Sequence, residues 1–307
     1  MTCSVIIPTL NAAQHLPATL ASLRMQSFTP NEIIVIDSSS SDGTADLARE
    51  LGCKTLSIER NKFDHGGTRN LAAAYSSGEF LVFMTQDASL AKRCSLEHLL
   101  HPFRIARIAG VCGRQLPMPD ANPLAAHARI FNYPPVSCVK NEDDIPKLGI
   151  KVPFLSNSFA AYRRTVFQDL GGFPAHIVFG EDMHIAARMI MKGYSIAYMA
   201  DATAYHSHNY TIIEEFKRYF DLGSFHEKYT WIQEKFGKAG SEGFRFMRSE
   251  LSYARKYGFS WVARSFLASG FKYIAYMLGR RAPWLPCSLK LKLGQNKVFW
   301  SQTGERR

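Results

Sequence analysis

Short apolar runs alternate with helix-spaced segments through the first half of the chain. "CSVIIPT", "EIIVID", "KTLSI" and "EFLVFMT" read as strands, because unbroken apolar runs of this length suit strands covered on both faces. Between them, residues 13–26 carry helical spacing, and "ADLARELG" reads as a helix that stops at Gly52. In "NKFDHGGTRNLAAAYSSG" the Gly66-Gly67 pair breaks what precedes it, which predicts a short helix from Thr68 to Ser77. Strands and helices alternating on this scale predict an α/β fold with a parallel sheet and right-handed crossovers. The middle is less regular: "RQLPMPDANP" and "YPPVSCVKNEDDIPKLGIKVP" are Pro-rich and polar, as in a long loop or lid. "SNSFAAYRR", helical "EDMHIAARMIMKG" and strand-like "SIAYMADATAYHSH" then resume the α/β pattern. Beyond Tyr210 only helices are predicted, over 211–236, 242–257 and 259–279. The expected organisation is an α/β domain over 1–210 and a mainly helical region over 211–307.

Composition adds limits. A chain of 307 residues, 46% hydrophobic and 21% charged, is long enough for a sizeable core and is not of the disordered class. The start, "MTCSVIIPTLNAAQHL", has no basic leader and its apolar run ends at Pro8, unlike a signal peptide. The best apolar stretch, 259–279, is interrupted by Arg264 and Lys272, so no membrane span is expected. Six cysteines lie far apart with no C-x-x-C, which fits neither a disulfide framework nor a zinc ribbon and points to a reduced, cytoplasmic setting. Net charge is +11 and uneven: residues 1–250 hold 26 Lys+Arg against 25 Asp+Glu, whereas residues 251–307 hold 11 against 1. The basic excess belongs to the tail and calls for an anionic partner there.

Ligands of open α/β sheets gather at the carboxyl ends of the strands. That rule brings together "PTLN" (8–11), "DSSSSDGT" (37–44), "TQDA" (85–88) and "HSH" (206–208), with "GED" (180–182) opening a helix near the same rim. Each has an ordinary structural alternative. Asp42 fits a helix N-cap, Asp87 a turn, and Glu181-Asp182 a pair of first-turn acids that complement the helix dipole. His206 and His208, one residue apart on a strand, are expected on opposite faces, so that one of them is structural. Asp37 ends an apolar strand on an acceptor-only group, which marks a ligand-facing edge.

Missing patterns narrow the chemistry. There is no G-x-x-x-x-G-K-[ST], no G-x-G-x-x-G after the first strand and no G-x-S-x-G. A strand-end Asp with a distant strand-end His suits a divalent cation sharing oxygens with a diphosphate. Arg69, placed in the first turn of its predicted helix, is a cation where the macrodipole disfavours one, and implies an anion held nearby. A nucleotide diphosphate answers both.

"SVIIPTLN", "IIVIDSSSSDGT", "TQDA" and "GED" stand in the order and approximate spacing of the inverting family 2 glycosyltransferases, and the chain resembles that family over residues 2 to about 210. "FDHGGTRN", "TQDA" and "YHSHNY" resemble its bacterial rhamnosyltransferase branch more closely. The resemblance implies a GT-A fold, a Rossmann-like mostly parallel sheet. It places Pro8, Thr9 and Asn11 in the loop against the nucleoside, and Asp37 as acceptor of a pyrimidine N3–H. Asp42 becomes the second acid of that loop, Arg69 a diphosphate contact, and Asp87 a ligand of Mg²⁺ or Mn²⁺ with His206 or His208 as a further ligand. The family often has an acid just before the metal-binding Asp, and Gln86 stands there instead. Gln86 can reach a ribose hydroxyl but adds no charge to the metal. Asp182 would be the general base on an acceptor hydroxyl, with Glu181 as the alternative; one carboxylate suffices for inversion, whereas retention through a covalent intermediate needs a nucleophile as well.

On a helical wheel for 259–279, Phe259, Val262, Phe266, Tyr273 and Met277 share one face, and Arg264, Ser265 and Lys272 lie opposite. Such a helix ordinarily packs its apolar face on a domain. The basic excess shifts the expectation to an anionic membrane surface reached through residues 251–307, on the inner face of the bacterial cytoplasmic membrane. The expected activity is transfer of L-rhamnose from dTDP-L-rhamnose to a lipid-linked or cell-surface glycan. The alternatives are a UDP-hexose donor on the same fold, or a non-catalytic anion- or membrane-binding protein. No nucleic-acid partner is expected, since aromatic stacking motifs flanked by basic residues are missing from the first 250 residues.

Overall fold

A computed structural model describes residues 1–238 and 240–303. Two compact units are present: one comprises residues 1–116, 133–175 and 181–206, the other residues 117–132, 176–180 and 207–307. The last four positions of the basic tail, 304–307, lie outside the described residues.

The first unit is built on one sheet. Its strands are β1 (Cys3–Thr9), β2 (Glu32–Asp37), β3 (Lys54–Ser57), β4 (Phe80–Met84), β5 (Ser89–Leu90), β6 (Ile108–Leu116), β7 (Cys138–Lys140), β8 (Phe159–Arg163) and β9 (Ser195–Tyr205). Its helices include α1 (Leu16–Arg24), α2 (Thr44–Glu50), α3 (His65–Ala74) and α4 (Ser95–Leu100). The spatial order is β3-β2-β1-β4-β8-β6-β9-β5, with β7 also paired to β9. β1 through β4 are mutually parallel, and the apolar runs of β1, β2 and β4 are buried on both faces: Val5, Ile7, Val35 and Val82 on one, and Ile6, Ile34, Leu81 and Phe83 on the other, are all inaccessible. The chain winds outward from β1 to β3 and then returns to place β4 on the other side of β1. That reversal is the topological switch at which open α/β sheets bind ligands.

The sheet departs from the all-parallel expectation. β8 is antiparallel to both β4 and β6, while β5 and β7 are antiparallel to β9. β6 lacks a clear sequence signal because Gly110 and Gly113 interrupt its apolar run. Gly113 is required there, since a Cβ would lie 2.4 Å from the Phe159 ring. The Pro-rich stretch 133–153 is not a loop: it holds β7 and a helical turn, α6 (Ile145–Leu148), following α5 (Pro123–Asn132) of the other unit. α7 (Arg164–Asp169) and α8 (Glu181–Met191) complete the first unit.

α3 begins three residues earlier than predicted. The Asp64 carboxylate caps it by accepting the Gly67 N–H at 2.7 Å, so Gly66-Gly67 form the first turn rather than break it. A side chain at Gly66 would meet the Pro174 carbonyl oxygen at 2.0 Å, which explains a residue that propensity alone disfavours in a helix. Arg69 therefore sits in the second turn.

The second unit is helical: α5, then α9 (Ile212–Lys228), α10 (Thr230–Phe236), α11 (Gly240–Ala254), α12 (Phe259–Arg280), α13 (Cys287–Leu293) and α14 (Lys297–Gln302). The predicted helix over 211–236 is divided at Tyr229. α9 opens with a reciprocal cap between Thr211 and Glu214 and packs along α12. Gly223 and Gly279 bring the two backbones together, since a Cβ at either would lie 2.2 or 2.1 Å from a carbonyl oxygen of the other helix. Asp221 fastens the C-terminal segment by accepting from Gln295, Asn296 and the Trp300 indole at 2.8–3.0 Å.

α12 is turned opposite to an ordinary amphipathic helix. Its buried residues are Ser265, Ala268, Lys272, Ala275 and Gly279. Lys272 Nζ lies 3.0 Å from Glu215 and 3.7 Å from Glu250, and Ser265 donates to Glu250 at 2.8 Å. Phe259 (85% exposed), Phe266, Tyr273 and Met277 face outward. No helix among the described residues is long and apolar enough to cross a membrane.

Candidate active site

β1 and β2 end in register, Thr9 opposite Asp37, so their loops leave the same sheet edge. Pro8 lies within β1, opposite Ile36. Asp37 is buried and accepts from the Thr9 hydroxyl at 3.0 Å and from the Ser40 N–H at 2.9 Å. The two loops are laced together beyond that point. Asn11 N–H donates to Ser40, the Asn11 side-chain oxygen accepts from Ser41 N–H, and Ala13 N–H donates to Asp42. Asp42 also accepts the Thr44 N–H that leads into α2, so its two oxygens serve loop and helix at once. Asn11 (φ 50°) and Ser39 (φ 56°) occupy the left-handed region, which non-glycine residues enter only where their surroundings enforce it.

The loop after β4 joins this cluster. Gln86 accepts from the Leu10 N–H at 2.8 Å and donates to the Leu10 carbonyl at 3.2 Å, so its amide clamps the first loop. The next residue, Asp87, lies 3.6 Å from His206 Nε2. His206 is buried, and its Nδ1 bonds the Gln115 side-chain oxygen at 2.9 Å. A carbonyl oxygen only accepts, so Nδ1 carries a proton and Nε2 is the ring nitrogen that faces Asp87, the orientation that metal ligation by a neutral imidazole requires. Gln115 is itself oriented by donating to Ser156 at 2.8 Å. These residues fit a divalent cation. β9 ends at Tyr205, so strand alternation does not govern the two histidines, contrary to the expectation of opposite faces. His208 belongs to the second unit, where its ring stacks on Tyr210 at 4.9 Å.

A third group gathers at the start of α8. Arg69 is buried, donates to the His65 carbonyl at 2.8 Å, and lies 3.4 Å from Glu181. Its partner is thus Glu181 and not the neighbouring Asp64, which is occupied as the cap of α3. Glu181 accepts from Asn157 Nδ2 at 3.0 Å, Asp182 accepts from the Asn157 N–H at 3.1 Å, and the Tyr162 hydroxyl orients the Asn157 carbonyl at 2.8 Å. The two acids are driven apart. Burial alone would raise Glu181, but the Arg69 guanidinium and then His65 outweigh it and hold that carboxyl below its ordinary value. At Asp182 the same cation is too weak to prevail: burial first, and the charge of Glu181 second, outweigh the N–H groups of Asn157 and Met183 and the Arg69 guanidinium and push it up to about 7. One acid is kept ionised, and the other becomes a base suited to neutral pH.

Two members of these groups carry no motif in the sequence. Asn157 appears there only as the polar lead-in to an apolar strand, and Gln115 sits in the glycine-interrupted run of β6. Both act through hydrogen bonds to residues far along the chain, which spacing does not encode.

A mostly parallel sheet with laced loops at its switch point, an Asp87–His206 pair that suits a cation at the next strand end, and neighbouring acids of divergent pKa fit a nucleotide-sugar transferase of the GT-A type. The fold is shared with the mannosyltransferase PcManGT from Pyrobaculum calidifontis, solved in complex with GDP-mannose and Mn²⁺: TM-score 0.58, 18% identity, covering 99% of this chain and 87% of that one. More particularly, the chain belongs to glycosyl transferase family 2, whose sequence profile matches residues 4–171. It is 48% identical over 303 residues to the O-antigen chain rhamnosyltransferase RfbN of Salmonella typhimurium, covering 98% of this chain and 96% of RfbN. It is 46% identical over 300 residues to the O-antigen chain rhamnosyltransferase WbaN of Salmonella anatum, covering 97% and 95% respectively. The chain is therefore a glycosyltransferase, with the family and fold that its motifs resemble.

Proposed function

We propose that this enzyme transfers L-rhamnose from dTDP-L-rhamnose, with inversion, to a lipid-linked O-antigen glycan at the inner face of the bacterial cytoplasmic membrane. The observation that carries the chemistry is the split between Glu181 and Asp182. Asp182 takes the proton from the acceptor hydroxyl as that oxygen attacks the anomeric carbon, opposite the departing nucleoside diphosphate. Glu181 is committed to Arg69 and Asn157, so a single base remains and no second carboxylate acts as nucleophile. The near full-length similarity to two rhamnosyltransferases supports the choice of sugar.

Thr9, Asn11, Asp37 and Asp42 shape the nucleoside loop, with Asp37 as acceptor of the base N3–H and Pro8 and Gln86 supporting the loop from either side. Arg69 has donor capacity beyond its bond to His65 and its ion pair, and we assign it to the donor diphosphate. Asp87, His206 and His208 would hold Mg²⁺ or Mn²⁺, the last joined to His206 through Ser207 alone. Such an ion, when bound, neutralises charge on the leaving diphosphate. The outward aromatic face of α12 and the basic tail provide the membrane contact.

Thermal shift with dTDP, UDP and GDP, with and without Mn²⁺, tests the donor. Saturation at 100 times the dissociation constant stabilises by ~2.7 kcal/mol, and dTDP is expected to do so. Stabilisation by UDP alone would replace dTDP-rhamnose with a UDP-hexose. No response to any nucleotide would leave a non-catalytic anion- or membrane-binding protein.

A further inference from the structure

Within the second unit, α5 and α11 pack against each other and border an open surface cavity of about 450 Å³. Its polar lining consists of Arg245, Arg248 and Lys256 with Ser249, Ser252, His127 and Tyr253; Arg245 is ion-paired with Glu242 at 2.9 Å, which leaves the charge of the site to Arg248 and Lys256. These residues recur along one face of α11 and the turn beyond it. Like charges three residues apart weaken a helix, so a basic face of this kind has a compensating reason. Aromatic rings form the rest: Arg245 lies over Phe131 and Lys256 over Tyr253, each at 5.5 Å. His127 lines the cavity while 2% exposed; its Nε2 is 2.9 Å from the Ser249 hydroxyl, and its Nδ1 has no hydrogen-bond partner among the described residues. Apolar side chains stand exposed on the same unit, Ile130 in the lining and Phe244, Tyr257 and Phe259 on or beside α11. An anion with an apolar attachment matches both features: cations that line one surface cavity, and exposed hydrophobic neighbours.

We propose that this cavity is a phosphate subsite, which holds the phosphoester or diphosphate head of the lipid that carries the glycan acceptor. The proposal rests on the reading that the acceptor is lipid-linked, and adds where its head group binds. Arg248 and Lys256 supply the charge, and the aromatic rings cover the adjoining sugar or the first carbons of the chain. Phe131 and Tyr253 favour a ligand larger than a lone phosphate.

The test uses the full chain and sedimentation with neutral phosphatidylcholine vesicles doped with a polyprenyl diphosphate, with phosphatidylglycerol vesicles of matched charge alongside. Arg248→Ala combined with Lys256→Ala alters two exposed side chains and leaves the fold intact, as the melting shift with dTDP verifies. The control, Arg281→Ala combined with Lys292→Ala, removes the same charge outside the cavity. On polyprenyl diphosphate vesicles the cavity variant is expected to lose ~10–30-fold more affinity than the control, which weakens only as it does on phosphatidylglycerol. On phosphatidylglycerol both variants weaken alike, and inorganic diphosphate competes only with the wild-type cavity. Equal losses for both variants on polyprenyl diphosphate would overturn the proposal in favour of diffuse surface charge. Competition by inorganic diphosphate without any vesicle preference would overturn it in favour of a free-phosphate site, and a wild type that ignores polyprenyl diphosphate would overturn it outright. Because no step requires sugar transfer, failure of the rhamnosyltransferase reading shows separately, in the donor assays.

Discussion

Replacing Asp182 by Asn should inactivate the enzyme while making its stability less dependent on pH. Asp182 accepts one N–H from Asn157 and one from Met183, through different oxygens. An amide keeps one acceptor and loses the other, which costs about 1 kcal/mol. Against that loss, the wild type bears a charge that its surroundings oppose. The carboxyl is raised from 3.8 to about 7, so the folded state holds this proton more tightly than the unfolded chain does. Its contribution to stability is complete below the unfolded value and is lost as pH rises through about 7. Near pH ~5 the folded wild-type group is mostly neutral and part of that contribution remains, so the variant should compare less favourably with the wild type there than at higher pH. Near pH ~8 the wild type carries the buried charge, and the difference should shrink or reverse.

The catalytic readout is separate. Removing a general base lowers transfer by ~10²–10⁴, with dTDP affinity retained because the carboxylate acts on the acceptor in the transition state. The wild-type kcat/KM should fall below neutral pH, since one unit below its pKa only about a tenth of a base is ionised. Transfer assays across pH, calorimetry with dTDP and melting curves at the two pH values decide the matter. An Asp182→Asn enzyme that keeps most of its activity would refute the assignment. So would an acid limb at the ordinary aspartate value, or a melting deficit that is the same at both pH values.

Arg69→Lys should lose dTDP affinity almost as fully as Arg69→Ala while thymidine affinity changes little, because an ammonium does not reproduce the planar fork; equal losses with both ligands would make Arg69 purely structural. Arg69→Ala should also melt lower, since Glu181 is left buried without its cation, a loss on the order of 3–5 kcal/mol, whereas Arg69→Lys keeps a positive charge there and should lose less. Gln115→Leu should weaken Mn²⁺ binding ~10–100-fold by releasing the tautomer and orientation of His206, and calorimetry that shows unchanged Mn²⁺ affinity would remove His206 from the metal site. Phe266→Ser with Tyr273→Ser should reduce sedimentation with anionic vesicles without lowering the melting temperature, as both rings are already exposed; unchanged binding would dismiss α12 as a lipid contact.

The strand-end clusters were legible because a parallel sheet places the end of every such strand at one edge, so "PTLN", "DSSSSDGT" and "TQDA" meet there whatever their separation in sequence. Signals failed where partners decide structure. β8 carries an ordinary strand pattern, but its direction depends on β4 and β6 and left no mark on residues 159–163. The start of α3 was missed because two glycines argue against a helix, and only the Pro174 carbonyl pressed against Gly66 explains them. Arg69 lies in the second turn of α3 and not the first, and the anion beside it is Glu181, over a hundred residues away along the chain. Adjacent acids look alike in sequence. Their roles diverge because Arg69 outweighs burial at Glu181, whereas at Asp182 burial and the charge of Glu181 outweigh Arg69.

The tail shows most plainly how composition and arrangement differ. A helix with aromatic residues on one side and Lys272 on the other would bury the aromatics in an ordinary soluble domain. Here α9 and α12 meet through Gly223 and Gly279, and at that separation only small residues such as Ala268 and Ala275 fit between them. Lys272 is tolerated because Glu215 and Glu250 flank it, and the attraction of these carboxylates, with the Tyr219 ring hydroxyl nearby, outweighs the burial that would otherwise lower its pKa. The aromatic face is then left outside by geometry, on a scale that soluble monomers rarely expose without a use for it. The same arrangement reduces the charge available to a membrane. Lys272 and Lys290 are both buried, the latter near the Trp300 ring, so neither counts among the cations that a lipid surface can meet. At ~1 kcal/mol per basic residue near anionic lipid, the electrostatic share of membrane binding is smaller than the net charge implies. The exposed aromatic face of α12 must supply correspondingly more of it.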